Sequence, residues 1–183
     1  MRDNPALIII DVQKAIDHPK WAIHGPRNNP EAEQVIARLL DAWRRAGRAV
    51  FHVRHESENP DSSYHALGSG APFKPEAMPR AGEPVIVKRV HSAFIGTDLE
   101  QQLRAAGISS LVVAGVITNN SVETTVRMAG NLGFDVRLVE DGCFTYPRLD
   151  YAGRLRSAED VHALSLANMN GEYCTVVRSA DLL

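Results

Sequence analysis

Ser109–Phe134, SSLVVAGVITNNSVETTVRMAGNLGF, is the stretch on which the fold of this chain turns. A continuous apolar run, Leu111–Ala114, breaks at Gly115 and gives way to the polar step Thr118-Asn119-Asn120-Ser121, after which Val122, Val126, Ala129 and Leu132 recur at helical spacing. The pattern is strand, turn and helix start. In an open α/β sheet, the carboxyl end of a strand facing a helix N-terminus presents free N–H groups and the positive end of the helix dipole, so ligands are gripped there. The polar step is the first candidate for chemistry. Asn120 as the helix cap, with Glu123 reaching back to it, would put Ser121 in the first turn beside free donors.

Working outward from this stretch, strands and helices alternate. Ala6–Ile10 (ALIII) reads as a strand buried on both faces that ends at Asp11-Val12-Gln13. Pro30 and Glu31 open a helix with Val35, Ile36, Leu39, Leu40 and Trp43 inward, and Gly47 stops it. Ala49–Val53 is a second strand delivering Arg54, His55 and Glu56; Val85–Val87 is a third, with Lys88 directly after it. Thr97–Glu100 reads as a capping box for the next helix. Downstream, Val136–Val139 is a fifth strand ending at Glu140-Asp141, Ser157–Asp160 caps a last helix with Val161 and Leu164 inward, and Cys174–Val177 is the final strand. This order predicts a single domain over 1–183 of the α/β class. It is a three-layer sandwich with a mostly parallel, six-stranded, Rossmann-like sheet and helices on both faces.

Glu56–Pro84 breaks the alternation. It is rich in Pro, Gly and Ser, has no sustained period, and is too long for an ordinary connection. Its interspersed Tyr64, Leu67, Phe73 and Met78 favour a packed lid over the site rather than a disordered insertion.

Composition excludes several classes of function. Lys+Arg total 20 against Asp+Glu 22 and the basic residues are scattered, so no footprint for nucleic acid is expected. No apolar run approaches the ~20 residues that span a bilayer, no secretory leader is read, and a cytoplasmic location is expected. Two cysteines, Cys143 and Cys174, are too few for a disulfide framework or a four-thiolate zinc site. His52 and His55 point to opposite faces of their strand and cannot share one ion, so neither metal nor cofactor is expected. Cys143 lies close to the same sheet edge and is weighed as packing rather than chemistry.

Three carboxyl-edge positions thus hold an acid, a base and a hydroxyl: Asp11, Lys88 and Ser121. Together with ALIIIDVQ, VIVKRVHSAFIGTDLEQQL and LVVAGVITNNSVETTVRMAGNLGFDVRLVEDGCFTY, they give the chain a resemblance to the isochorismatase-like hydrolases, the superfamily that includes nicotinamidases and other amide hydrolases. The resemblance runs over essentially the whole chain. It implies a hydrolase of non-peptide C–N bonds in a small amide or carbamoyl substrate, with Asp11, Lys88 and Ser121 as the catalytic set. It further implies backbone oxyanion donors and a cis peptide at the turn Val116, Ile117 and Asn120, and assembly into dimers or tetramers. Gln13, His55, Phe94, Thr118, Asn119 and Tyr146 are candidate lining residues, and Trp21 a candidate for the apolar wall. Ser121 stands where amidase-type members carry a cysteine, and a hydroxyl is a nucleophile only with a well-placed base. Three routes stay open: attack by Ser121; hydrolysis without a covalent intermediate, including the vinyl-ether type with Asp11 as the acid; and an inactive protein that binds a small molecule.

Overall fold

A computed structural model of the chain describes residues 4–183. In chain order it contains β1 (Ala6–Ile10), α1 (Ala32–Arg45), β2 (Val50–His55), β3 (Val85–Lys88), α2 (Leu99–Ala105), β4 (Ser110–Val116), α3 (Glu123–Asn131), β5 (Asp135–Phe144), β6 (Arg148–Leu149), β7 (Leu155–Arg156), α4 (Ala158–Met169) and β8 (Thr175–Val177). Six strands form one sheet in the order β3-β2-β1-β4-β5-β8, and every pairing in it is parallel. The short pair β6-β7 stands apart as an antiparallel hairpin.

The apolar strands are explained by burial on both faces. Along β1, Leu7 and Ile9 pack with Val35, Ile36, Leu39, Leu40 and Trp43 of α1. Ala6, Ile8 and Ile10 pack on the opposite face with Leu99 and Leu103 of α2, Val126 and Ala129 of α3, and Leu166 and Met169 of α4. A strand sandwiched this way has no use for a polar residue until it leaves the sheet. At that point Asp11 takes a left-handed conformation (φ +56°), which Asp tolerates better than most residues, and turns the chain sharply off the strand. Gly115 is required where β4 lies against β1, because a Cβ there would stand 2.2 Å from the Ile10 carbonyl oxygen.

Several local expectations are corrected by tertiary contacts. The fifth strand does not end at Glu140-Asp141: its pairing with β4 shifts register between Val113 and Gly115 and resumes at Cys143 and Phe144. That bulge buries Cys143 completely and pushes its thiol up to about 12, which makes it packing. In the Thr97 segment, Thr97 Oγ1 accepts from the Leu99 N–H and no reciprocal capping box forms. The Ser157 cap does form, with its Oγ accepting from the Asp160 N–H at 3.0 Å. The inward face of α4, however, carries His162, Ser165, Leu166 and Met169, whereas Leu164 is 63% exposed and Val161 only half-buried.

The segment 56–84 folds down onto the carboxyl edge of the sheet. Tyr64 donates its hydroxyl to the Asp11 carbonyl (3.1 Å). Gly70 lies against Ala15 so closely that a Cβ would stand 2.8 Å from the Ala15 Cα. Lys74 bridges Asp17 and the buried Glu33 at 2.7 and 2.9 Å. At the far end of the segment, Glu83 accepts from Arg44 (2.7 and 2.8 Å), from the Arg80 N–H (2.8 Å) and from His52 (2.9 Å), just before the strand that delivers Lys88. Burial pushes the Glu83 carboxyl up, but Arg44, the Arg80 N–H and His52 outweigh it and hold it at about 2. A carboxyl with a depressed folded pKa stabilises the fold above its unfolded value near 4.5 and loses that contribution as pH falls toward 2. Glu83→Gln is therefore expected to cost roughly 2–3 kcal/mol at neutral pH. It should also flatten the decline in stability between pH 5 and 2, as measured by urea unfolding across that range; an unchanged acid limb would contradict this.

Candidate active site

The strand order reverses its direction of winding between β1 and β4, and the crevice at that point is where open α/β sheets bind ligands. Asp11 leaves β1 there, His55 and Lys88 end β2 and β3 at the same level of the register, and Ser121 follows β4. Between β4 and α3 the chain passes a cis peptide, Val116-Ile117, and one wide π-helical turn, Thr118–Val122, that holds Ser121 over the edge. Helix α3 begins only at Glu123, with Val122 at its N-cap position and no side-chain cap. Asn120 does not cap it, and its N–H donates to the Ile117 carbonyl (3.1 Å), as does that of Val122 (3.4 Å).

Lys88, 1% exposed, is the centre of the site. Its Nζ donates to Asp11 Oδ2 (2.7 Å), to Ser121 Oγ (3.2 Å) and to the Val90 carbonyl (3.2 Å), and lies 3.3 Å from His55 Nδ1. Burial, and then the adjacent Lys88 charge, push His55 below its ordinary range, which keeps the ring neutral beside the ammonium at pH 7. Two features bear directly on chemistry. Asp11 Oδ1 is buried with no partner among the described residues. Ser121 Oγ accepts a hydrogen bond from Lys88, and no described residue accepts the serine's own hydrogen.

A cavity of about 260 Å³ opens over Asp11 and Ser121. Val116, Ile117 and Asn120 floor it from the β4 turn; His55 and His91 come from the ends of β2 and β3. Trp21 and Tyr64, edge to face with centroids 6.2 Å apart, form an aromatic wall, and Ser57 and Ser62 of the 56–84 segment close one side. Of the expected lining residues, His55 is present and five are not. Gln13 is fully buried, with its amide bound to the His55 N–H and carbonyl and to the Ala71 carbonyl, so it ties β2 to the covering segment instead. Phe94 stacks on Phe134 in the core. Thr118 is buried against His162. Asn119 faces a separate outer groove and accepts from Thr145. Tyr146 stacks behind Trp21 and donates to the Ile16 carbonyl. His91, Ser57, Ser62 and Lys20 had no sequence signal, since each comes from an aperiodic loop.

The isochorismatase domain pattern matches residues 5–181, and the chain belongs to the isochorismatase family of hydrolases. It is 39% identical to the isochorismatase family protein YrdC of Bacillus subtilis over 183 residues, covering all of this chain and 96% of that one. It is 27% identical to a maleamate amidohydrolase of Pseudomonas putida, covering 98% of this chain and 85% of that one. The crystal structure of an isochorismatase-family protein from Chromobacterium violaceum superposes with a TM-score of 0.95 at 57% identity, covering all of this chain and 93% of the other.

Proposed function

We propose that this chain hydrolyses a small amide or carbamoyl substrate, with water as the nucleophile, Asp11 as the base and Ser121 as a hydrogen-bond donor to the reacting carbonyl. One observation carries this. Of Asp11 Oδ1 and Ser121 Oγ, only Asp11 Oδ1 has no partner among the described residues, whereas Ser121 Oγ already accepts from Lys88 and no described residue accepts its own hydrogen. A lysine paired as an ammonium with Asp11 has no lone pair with which to activate a serine. The amide class is supported by relatives named as a maleamate amidohydrolase and a streptothricin hydrolase.

In this scheme the carbonyl sits with its oxygen on the Ser121 hydroxyl, whose acidity is raised by the Lys88 proton it accepts. Asp11 Oδ1 removes a proton from water as the water oxygen bonds to the carbonyl carbon, and the carbonyl π pair moves onto oxygen. Collapse of the tetrahedral adduct breaks the C–N bond, and Asp11 returns the proton to the departing nitrogen. The products are a carboxylic acid and an amine or ammonia, and Asp11 ends as it began. Over this site, the 56–84 segment acts as a lid, with Ser57, Ser62 and Tyr64 along the cavity.

The test is a screen of small primary amides, including maleamate, with N-carbamoyl compounds and isochorismate alongside, followed by Ser121→Ala on whichever is turned over. Loss of a donor to the developing oxyanion is expected to lower kcat by about 10²–10³-fold and leave measurable turnover. No acyl adduct on Ser121 is expected in the denatured-protein mass spectrum. An acyl-Ser121 adduct, with Ser121→Ala fully inactive, would instead establish attack by the serine. Turnover of isochorismate alone would move the chemistry to protonation by Asp11.

A further inference from the structure

We infer that His162, on α4, is a positioning residue that holds the turn carrying Ser121 in register with Asp11 and Lys88, acting through the buried hydroxyl of Thr118. The inference rests on the site proposed above. Its basis is a run of polar contacts inside an otherwise apolar interface, none of which that mechanism uses.

His162 Nδ1 lies 2.8 Å from Thr118 Oγ1, and Thr118 is fully buried. The Glu140 carbonyl, to which Asn29 Nδ2 donates (2.9 Å), lies near enough to act on the imidazole from its other side. The Thr118 hydroxyl can donate to Nδ1 or accept from it, so the contact is kept in either neutral tautomer. One helical turn further along α4, Ser165 Oγ contacts both the Thr118 carbonyl (3.3 Å) and Glu123 Oε2 (2.6 Å). Glu123 is the first residue of α3 and is paired with Arg127. Two side chains of α4 therefore grip both ends of the five-residue turn: its first residue through a hydroxyl and a carbonyl, and the residue after its last through a carboxylate. Ser121 lies between these anchors.

The physical reason for such a grip is that the turn kinks at Asn119 (φ −85°, ψ 17°) and has no side-chain cap at its start. Ser121 meets Lys88 at 3.2 Å, near the long end of useful hydrogen bonds, so a shift of a few tenths of an ångström in the turn would lose the contact. Burial pushes His162 below its ordinary range, outweighing Glu140 and Glu159, and so keeps the ring neutral beside Thr118.

The test has two arms. In the first, kcat and KM are measured on the best amide from the screen for His162→Ala, His162→Asn, Thr118→Val and the double variant His162→Ala/Thr118→Val. Misplacing the turn is expected to lower kcat by about 10²-fold, as ångström-scale errors in catalytic geometry do. KM should stay within about twofold, since His162 does not line the cavity. His162→Asn, which can place an oxygen where Nδ1 stood, should recover much of the loss, and the double variant should be no slower than the worse single one. Equal losses in kcat and stability without rescue by asparagine, or additive effects of the two substitutions, would reduce His162 to a packing residue. The second arm needs neither turnover nor a variant that folds: nitrogen NMR of the wild-type protein should show a neutral His162 ring at pH 7 with Nδ1 hydrogen-bonded to Thr118. An Nδ1 without a hydrogen bond overturns the inference, whereas active Asp11→Asn enzyme would overturn the hydrolytic scheme and leave this arm intact.

Discussion

Asp11→Asn should leave a folded protein whose kcat/KM falls by about 10²–10⁴-fold, the range that a positioned general base contributes. The substitution is favourable to the backbone, because asparagine accepts the left-handed conformation that Asp11 adopts at φ +56°. It keeps an oxygen for Lys88 to donate to and removes the charge that takes the water proton. Circular dichroism would establish that the fold survives, and steady-state kinetics on the best amide of the screen would give the loss. A variant within tenfold of wild type would sink the assignment of Asp11 as base, since no other unpartnered carboxylate lines the cavity among the described residues.

Lys88→Met is expected to have the largest combined effect. Methionine matches the length of the lysine stem but leaves the Asp11 carboxylate, itself 3% exposed, without its counter-charge. Removing one partner of a buried pair costs about 3–5 kcal/mol. For a chain of this length that corresponds to a Tm lower by roughly 10 °C. Activity should be lost as well, because Lys88 both pairs with Asp11 and polarises Ser121. The double variant Asp11→Asn/Lys88→Met separates the two effects. It should regain stability over Lys88→Met alone, since the orphaned charge is gone, and regain no activity. A Tm of Lys88→Met within 2–3 °C of wild type would show that the pair is better solvated than its burial implies.

The sheet was legible because its strands are buried on both faces, which forces runs such as Leu7–Ile10 and Leu111–Ala114 to be apolar throughout. The same physics made Asp11 and Lys88 visible: a charged residue directly after a doubly buried strand has to lie at the edge. Helix α4 departs from its apolar spacing for the opposite reason. Helical spacing assigned Val161 and Leu164 to the core, but α4 packs beside a turn that offers a hydroxyl, a carbonyl and a carboxylate, so His162 and Ser165 face inward instead. Leu164 is then left exposed together with Leu149, Tyr151 and Leu155 of the neighbouring hairpin. A hydrophobic period reports apolar partners and cannot anticipate polar ones.

What the sequence alone determined is the order of elements, the parallel sheet they form, and the placement of Asp11, Lys88 and Ser121 at its carboxyl edge; each follows from periodicity and from the cost of burying a polar group. The tertiary structure decided how those groups are used. It gave Lys88 to Asp11 and Ser121 at once, left the buried Asp11 Oδ1 without a partner among the described residues, kept Gln13, Phe94, Thr118, Asn119 and Tyr146 out of the cavity walls, and supplied Tyr64, His91, Ser57 and Ser62 from loops. These outcomes depend on distances of a few ångströms between segments far apart in the chain, which no local spacing encodes.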